Sequence, residues 1–156
     1  MDYDLTKRVL DALHRFEVAY KVFGAVALNL HGLARATEDL DIFIAPDADN
    51  IAKLREALQS VFHDPCIDEI RAEDLLGEYP VVQYAPPSEG FHLDIVTRLG
   101  ERFDYAGLDA EMIDFDGIPV SVVTAKTLYE MKRDTVRAKD RGDAEALARR
   151  FKFGES

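Results

Sequence analysis

Two aspartates, Asp39 and Asp41, open the apolar run DLDIFI at residues 39–44. In an extended chain their side chains share one face, while Leu40, Ile42 and Ile44 point to the other. Like charges on one face repel, and a half-buried pair is costly unless something neutralises it. A divalent cation does so. Carboxylates spaced D-x-D on a strand suit a hard ion such as Mg²⁺, which keeps positions open for substrate phosphates. A solvated strand face with exposed acids would leave the same trace, but Leu40, Ile42, Phe43 and Ile44 make this strand look covered further along.

A third acid, Asp94, lies inside the apolar run FHLDIVT, with Leu93 and Ile95 on the opposite face. Alone, it is better explained by a salt bridge to a basic residue such as Arg98 or Arg35. If its strand lies beside DLDIFI, three carboxylates meet, enough to hold two metal ions for in-line phosphoryl chemistry. Gly24, between a strand and a helix, lets a ligand approach the backbone, and the helix's free N–H groups favour an anion there. By itself it reads as a turn glycine. Finally, KRDTVRAKDRGD (residues 132–143) places Lys132, Arg137 and Lys139 near Asp140 and Asp143. Solvated helix charges commonly produce such a run, yet three carboxylates need a cationic partner to accept a triphosphate.

The elements that must position these residues follow from periodicity. Leu5, Val9, Leu10, Leu13 and Phe16 repeat at helical spacing over residues 4–16. AYKVFG is a short strand stopped by Gly24, and AVALNLHGL a helix whose first turn begins there. DLDIFIA is the next strand, ended by Pro46. A helix over about 48–61 carries Ile51, Leu54, Ala57, Leu58 and Val61 on one stripe, capped by Asp47 or Asp49. RAEDLLGEY is ambiguous. PVVQYAPPSEGFHLDIVTR reads as two strands, and IDFDGIPVSVV as a hairpin around Asp116-Gly117. Thr124 is a candidate N-cap for a further helix, which Gly142 separates from a last one at about 143–151. The order describes an α+β (α/β) domain with a mixed sheet, helices packed on one face and a short C-terminal helical cap at about 124–152.

The length of 156 residues and the apolar fraction of 47% fit a single domain over 1–156. No apolar run approaches the roughly 20 residues of a membrane span, and MDYDLTKRVL lacks the features of a signal peptide. A cytoplasmic protein with no membrane partner is expected. The single cysteine, Cys66, forms no internal disulfide and has no zinc spacing around it. A net charge of −11 argues against extensive nonspecific nucleic-acid binding. Nearly half of the 19 Lys and Arg residues fall between 126 and 152, however, so a local basic face could hold a phosphorylated ligand.

FGAVALNLHGLARATEDLDIFI (residues 23–44) resembles the signature of the DNA polymerase β-type nucleotidyltransferase superfamily: a glycine followed by Gly or Ser, a short helix, then D-h-[DE]-h with h apolar. R-A-T-E-D-L-D, together with the late K-x4-R-x-K-D-x2-D, is most similar to the AbiEii-like nucleotidyltransferases, many of them toxins of toxin-antitoxin systems. The resemblance spans about residues 20–143. It implies a nucleotidyltransferase fold and a Mg²⁺- or Mn²⁺-dependent enzyme that moves a nucleoside monophosphate from an NTP to a hydroxyl of an RNA (a tRNA end) or a protein, with a cognate antitoxin as a possible partner. It implies that Asp39, Asp41 and Asp94 bind the metals, that Asp94 helps activate the acceptor, and that Gly24 and Ala25 contact the triphosphate. Lys132 would be a nucleotide-binding cation. Arg35 and Thr37 would lie near the phosphates, although Arg35 could equally pair with Glu38 or Asp39. Asp140 would orient the acceptor or cap the final helix. Ala25 departs from the family's second small residue, so a serine hydroxyl contact is lost while the backbone N–H remains. The alternatives are a noncatalytic nucleotide-binding regulatory or antitoxin-like module, against which three mutually repelling acids argue, and a small-molecule (antibiotic) nucleotidyltransferase.

Overall fold

The computed structural model describes residues 3–78, 80–87, 90–133 and 138–153. Helix α1 (Tyr3–Arg15) buries Leu5, Val9, Leu10 and Leu13, the stripe its spacing predicts. Strand β1 (Tyr20–Phe23) runs into α2 (Gly24–Leu30), and the chain returns as β2 (Asp39–Ile44). Helix α3 (Ala48–Phe62) starts at Asp47, whose carboxylate accepts the Asn50 N–H at 2.7 Å. A 3-10 turn (Pro65–Glu69) and the short α4 (Ala72–Leu75) settle the ambiguous stretch before β3 (Val81–Tyr84) and β4 (His92–Val96). The two-stranded pair β5 (Arg98–Leu99) and β6 (Phe103–Asp104) was not legible as strand. The hairpin β7 (Ala110–Phe115) and β8 (Ile118–Val123) turns through Asp116 and Gly117, both at positive φ, the backbone a tight two-residue hairpin requires.

Six strands form one mixed sheet in the order β3-β4-β2-β1-β8-β7. β2 is antiparallel to β1 and parallel to β4, and β1 is parallel to β8. Strand alternation then sorts the side chains. Val22, Leu40, Ile42, Ile44, Leu93 and Ile95 are buried in the core that also holds the apolar stripes of α1 and α3. Phe23, Asp39, Asp41, Phe43 and Asp94 take the other positions. The sheet thus offers one apolar face and one face that carries the acids.

The C-terminal segment consists of α5 (Ala125–Arg133) and α6 (Ala138–Phe151), which pack on each other. Thr124 caps α5, its Oγ1 accepting the Thr127 N–H at 3.3 Å. Gly142 does not separate two helices, contrary to the expectation from sequence. It lies inside α6, where a glycine costs only about 1 kcal/mol and the acidic first turn favours the helix start. Among the described residues, no helix is long and apolar enough to cross a membrane.

Candidate active site

The parallel pairing of β2 with β4 sets Asp41 opposite Asp94 and Asp39 opposite His92. Asp41 and Asp94 interact across the two strands through hydrogen bonding and charge, and neither arginine considered for Asp94 holds it. Arg98 reaches the Glu78 carbonyl and Arg35 reaches Asp143. Burial, the shared bond and charge of Asp94, and the charge of Asp39 push the Asp41 carboxyl up to about 8, with Lys132 pulling the other way. Asp39 turns toward His92, with Nδ1 3.3 Å from Oδ1.

Gly24 begins α2 at φ +71, and a Cβ there would collide with the Asp41 carboxylate. The close approach and the left-handed backbone both demand glycine. In the loop before β2, Asn29 clamps Arg35 through both backbone groups, and the Thr37 hydroxyl accepts the Asp39 N–H at 3.0 Å. Arg35 pairs with neither Glu38 nor Asp39. Its Nε donates to Asp143 Oδ1 at 2.8 Å, a partner on a distant helix.

These residues border one cavity of about 450 Å³. Gly24, Ala25, Asp39, Asp41 and Asp94 line it from the sheet side, Arg35 and Thr37 from the loop, and Lys132, Lys139, Asp140 and Asp143 from α5 and α6. All nine residues singled out from sequence therefore face one space. Arg137 lies outside the described residues. Lys132 Nζ sits 3.2 Å from both Asp140 and Asp143, so Asp140 occupies the first turn of α6 as an ion-pair partner and is not its cap.

Asp143 and His92 were missed as site residues. For Asp143 the signal was present, because Asp140 and Asp143 stand one helical turn apart once α6 runs through Gly142. Burial alone would raise the Asp143 carboxyl, but hydrogen bonds from Arg35 and Lys132 and their charges hold it below the usual range. Also unforeseen was Lys21, whose ammonium donates to the Tyr105 and Leu108 carbonyls and fastens the segment after β6. Leu99 of β5 lines the cavity.

The donor set around Asp41 is all carboxylate, and an acid pair this close needs either a shared proton or a cation. It fits a hard divalent ion held by Asp41 and Asp94 with Asp39 alongside. Among the described residues no group of three or more His, Cys, Asp or Glu side chains is arranged to hold a metal ion, so Asp41 and Asp94 are the two carboxylates that fit one here.

Residues 15–151 match the family model described as "Nucleotidyl transferase AbiEii toxin, Type IV TA system". Two solved structures share the fold. ANT(2'')-Ia in complex with adenylyl-2''-tobramycin is 13% identical, with a TM-score of 0.58 over 95% of this chain and 88% of that one. An antigenic nucleotidyltransferase-like protein from Paracoccidioides brasiliensis is 16% identical, with a TM-score of 0.57 over 93% and 75%. No curated protein matches the chain in sequence.

Proposed function

Because the chain belongs to the AbiEii nucleotidyltransferase toxin family, we propose that its acid-lined cavity is the active site of a Mg²⁺- or Mn²⁺-dependent enzyme that transfers a nucleoside monophosphate from an NTP to a hydroxyl of an RNA end or a protein. The observation that carries this reading is the strand register that sets Asp41 opposite Asp94 on neighbouring parallel strands, both bordering the same cavity as Lys132. We read residues 1–156 as one domain, with α5 and α6 as its cap.

In this reading Asp39, Asp41 and Asp94 hold the divalent ions, which supply charge neutralisation along the phosphates and at the leaving group. Lys132 and Arg35 take the triphosphate, assisted by backbone N–H groups at Gly24 and Ala25, and Thr37 fixes the strand that carries the acids. Asp94 accepts the acceptor's hydroxyl proton while that oxygen bonds to the α-phosphorus, and the bond to pyrophosphate breaks. Asp140 holds Lys132 on the cavity wall. A cognate antitoxin is the partner that family membership suggests.

Incubation with each α-labelled NTP, divalent metal, total cell RNA and total protein tests the reading. Label in an RNA or protein band supports it. Label appearing only after an aminoglycoside is supplied would move the acceptor to a small molecule, and nucleotide binding without any transfer would favour the noncatalytic module.

A further inference from the structure

Asp143 is only 3% exposed, yet it faces the cavity as a carboxylate and is assigned no role in the transfer chemistry. Its Oδ1 accepts from Arg35 Nε at 2.8 Å and its Oδ2 from Lys132 Nζ at 3.2 Å. Both oxygens are thereby committed to cations, one from the loop before β2 and one from α5, while Asp143 itself rides on α6. Three separate elements meet at this carboxylate. Burying it is tolerable because two charges compensate it.

The cations differ in what they need. Arg35 is already fixed at its backbone by Asn29 and at Nη1 by the Ala34 carbonyl at 2.7 Å. Lys132 hangs on a flexible four-carbon stem and is also drawn electrostatically toward Asp41. Without a counter-attraction it would move onto the Asp41–Asp94 pair and compete with the divalent ion for the same oxygens. Asp140 and Asp143 pull it back toward α6.

We propose that Asp143 is the positioning residue of a two-cation phosphate clamp, aligning Arg35 and Lys132 toward the triphosphate and keeping Lys132 off the acid pair. This rests on the nucleotidyltransferase reading of the cavity and deepens it.

Calorimetry with inorganic tripolyphosphate and Mg²⁺ tests the clamp without requiring the base or the acceptor. The wild type binds the probe, and Asp143→Asn, similar in size but uncharged, weakens binding by roughly tenfold. Since Asp143 acts in part through Lys132, Asp143→Asn combined with Lys132→Met costs clearly less than the product of the two separate fold-changes. A merely structural aspartate would lower thermal stability without that non-additivity. Should Asp143→Asn melt below the assay temperature, Asp143→Glu, which keeps the charge but displaces it, carries the same comparison. Wild-type binding with unchanged affinity in Asp143→Asn, or strictly multiplicative losses, overturns the clamp alone. Failure of the wild type to bind the probe removes the active-site reading beneath it.

Discussion

Replacing Asp94 with asparagine removes one charge from the acid pair and keeps a group of the same size beside Asp41. In the native protein the Asp41 carboxyl is raised from 3.8 to about 8, so between these values the folded chain holds a proton that the unfolded chain has released. Stability of the metal-free protein therefore falls as pH rises across that window and levels off above it. At about 1.4 kcal/mol per pH unit, a rise of some four units bounds the penalty at roughly 6 kcal/mol. Burial is its largest cause and survives the substitution, whereas the hydrogen bond and charge of Asp94 do not. Asp94→Asn should thus recover on the order of 1–2 kcal/mol near pH 8, a rise of roughly 2–8 °C in Tm for a chain of this size. Near pH 5, where the Asp41 of the native protein keeps its proton and the repulsion from Asp94 is relieved, the gap between the melting temperatures should shrink. Excess Mg²⁺ should raise the wild type most and narrow the gap at pH 8. Transfer activity should fall by about 10²-fold or more, because proton acceptance and metal holding are lost together. Thermal melts at both pH values and a label-transfer assay suffice. A variant that is less stable at pH 8 yet active would refute the three-carboxylate site.

Calorimetry with ATP, GTP, CTP and UTP should give measurable heats only when Mg²⁺ or Mn²⁺ is present; equal, negligible heats in both conditions would count against a nucleotide site on this acidic chain. Lys132→Met should weaken NTP binding and also lower stability by about 1–3 kcal/mol, since Lys132 is largely buried and pairs with two carboxylates; a stability loss with unchanged affinity would make it purely structural. Gly24→Ala should lower both the Tm and metal-dependent NTP binding, because the new methyl meets Asp41 and the backbone there is left-handed; a variant indistinguishable from wild type by melt and titration would remove Gly24 from the site.

The acids were legible because a strand's alternation is readable along one segment: Asp39 and Asp41 had to share a face, and Asp94 had to oppose Leu93 and Ile95. What brought them together was not local. The Asp41–Asp94 pairing depends on β4 docking parallel to β2 on the side away from β1, a strand order that no single segment encodes. Arg35 makes the same point, since its neighbours Glu38 and Asp39 were the obvious partners and the actual one lies 108 positions away. Asp143 was hidden for a local reason. Treating Gly142 as a helix break put Asp140 and Asp143 in different elements, whereas the continuous helix sets both against Lys132. The β5–β6 pair escaped notice because two-residue strands carry no readable alternation.

Parallel incubations with α-labelled and γ-labelled NTP, using one acceptor mixture with Mg²⁺ and the wild type beside Asp94→Asn, test nucleotidyl transfer most directly. The account predicts that the α-label enters an acceptor, that the γ-label leaves with pyrophosphate, and that the variant transfers the α-label more slowly by about 10²-fold or more. Transfer of the γ-label, or undiminished α-label transfer by Asp94→Asn, would contradict it.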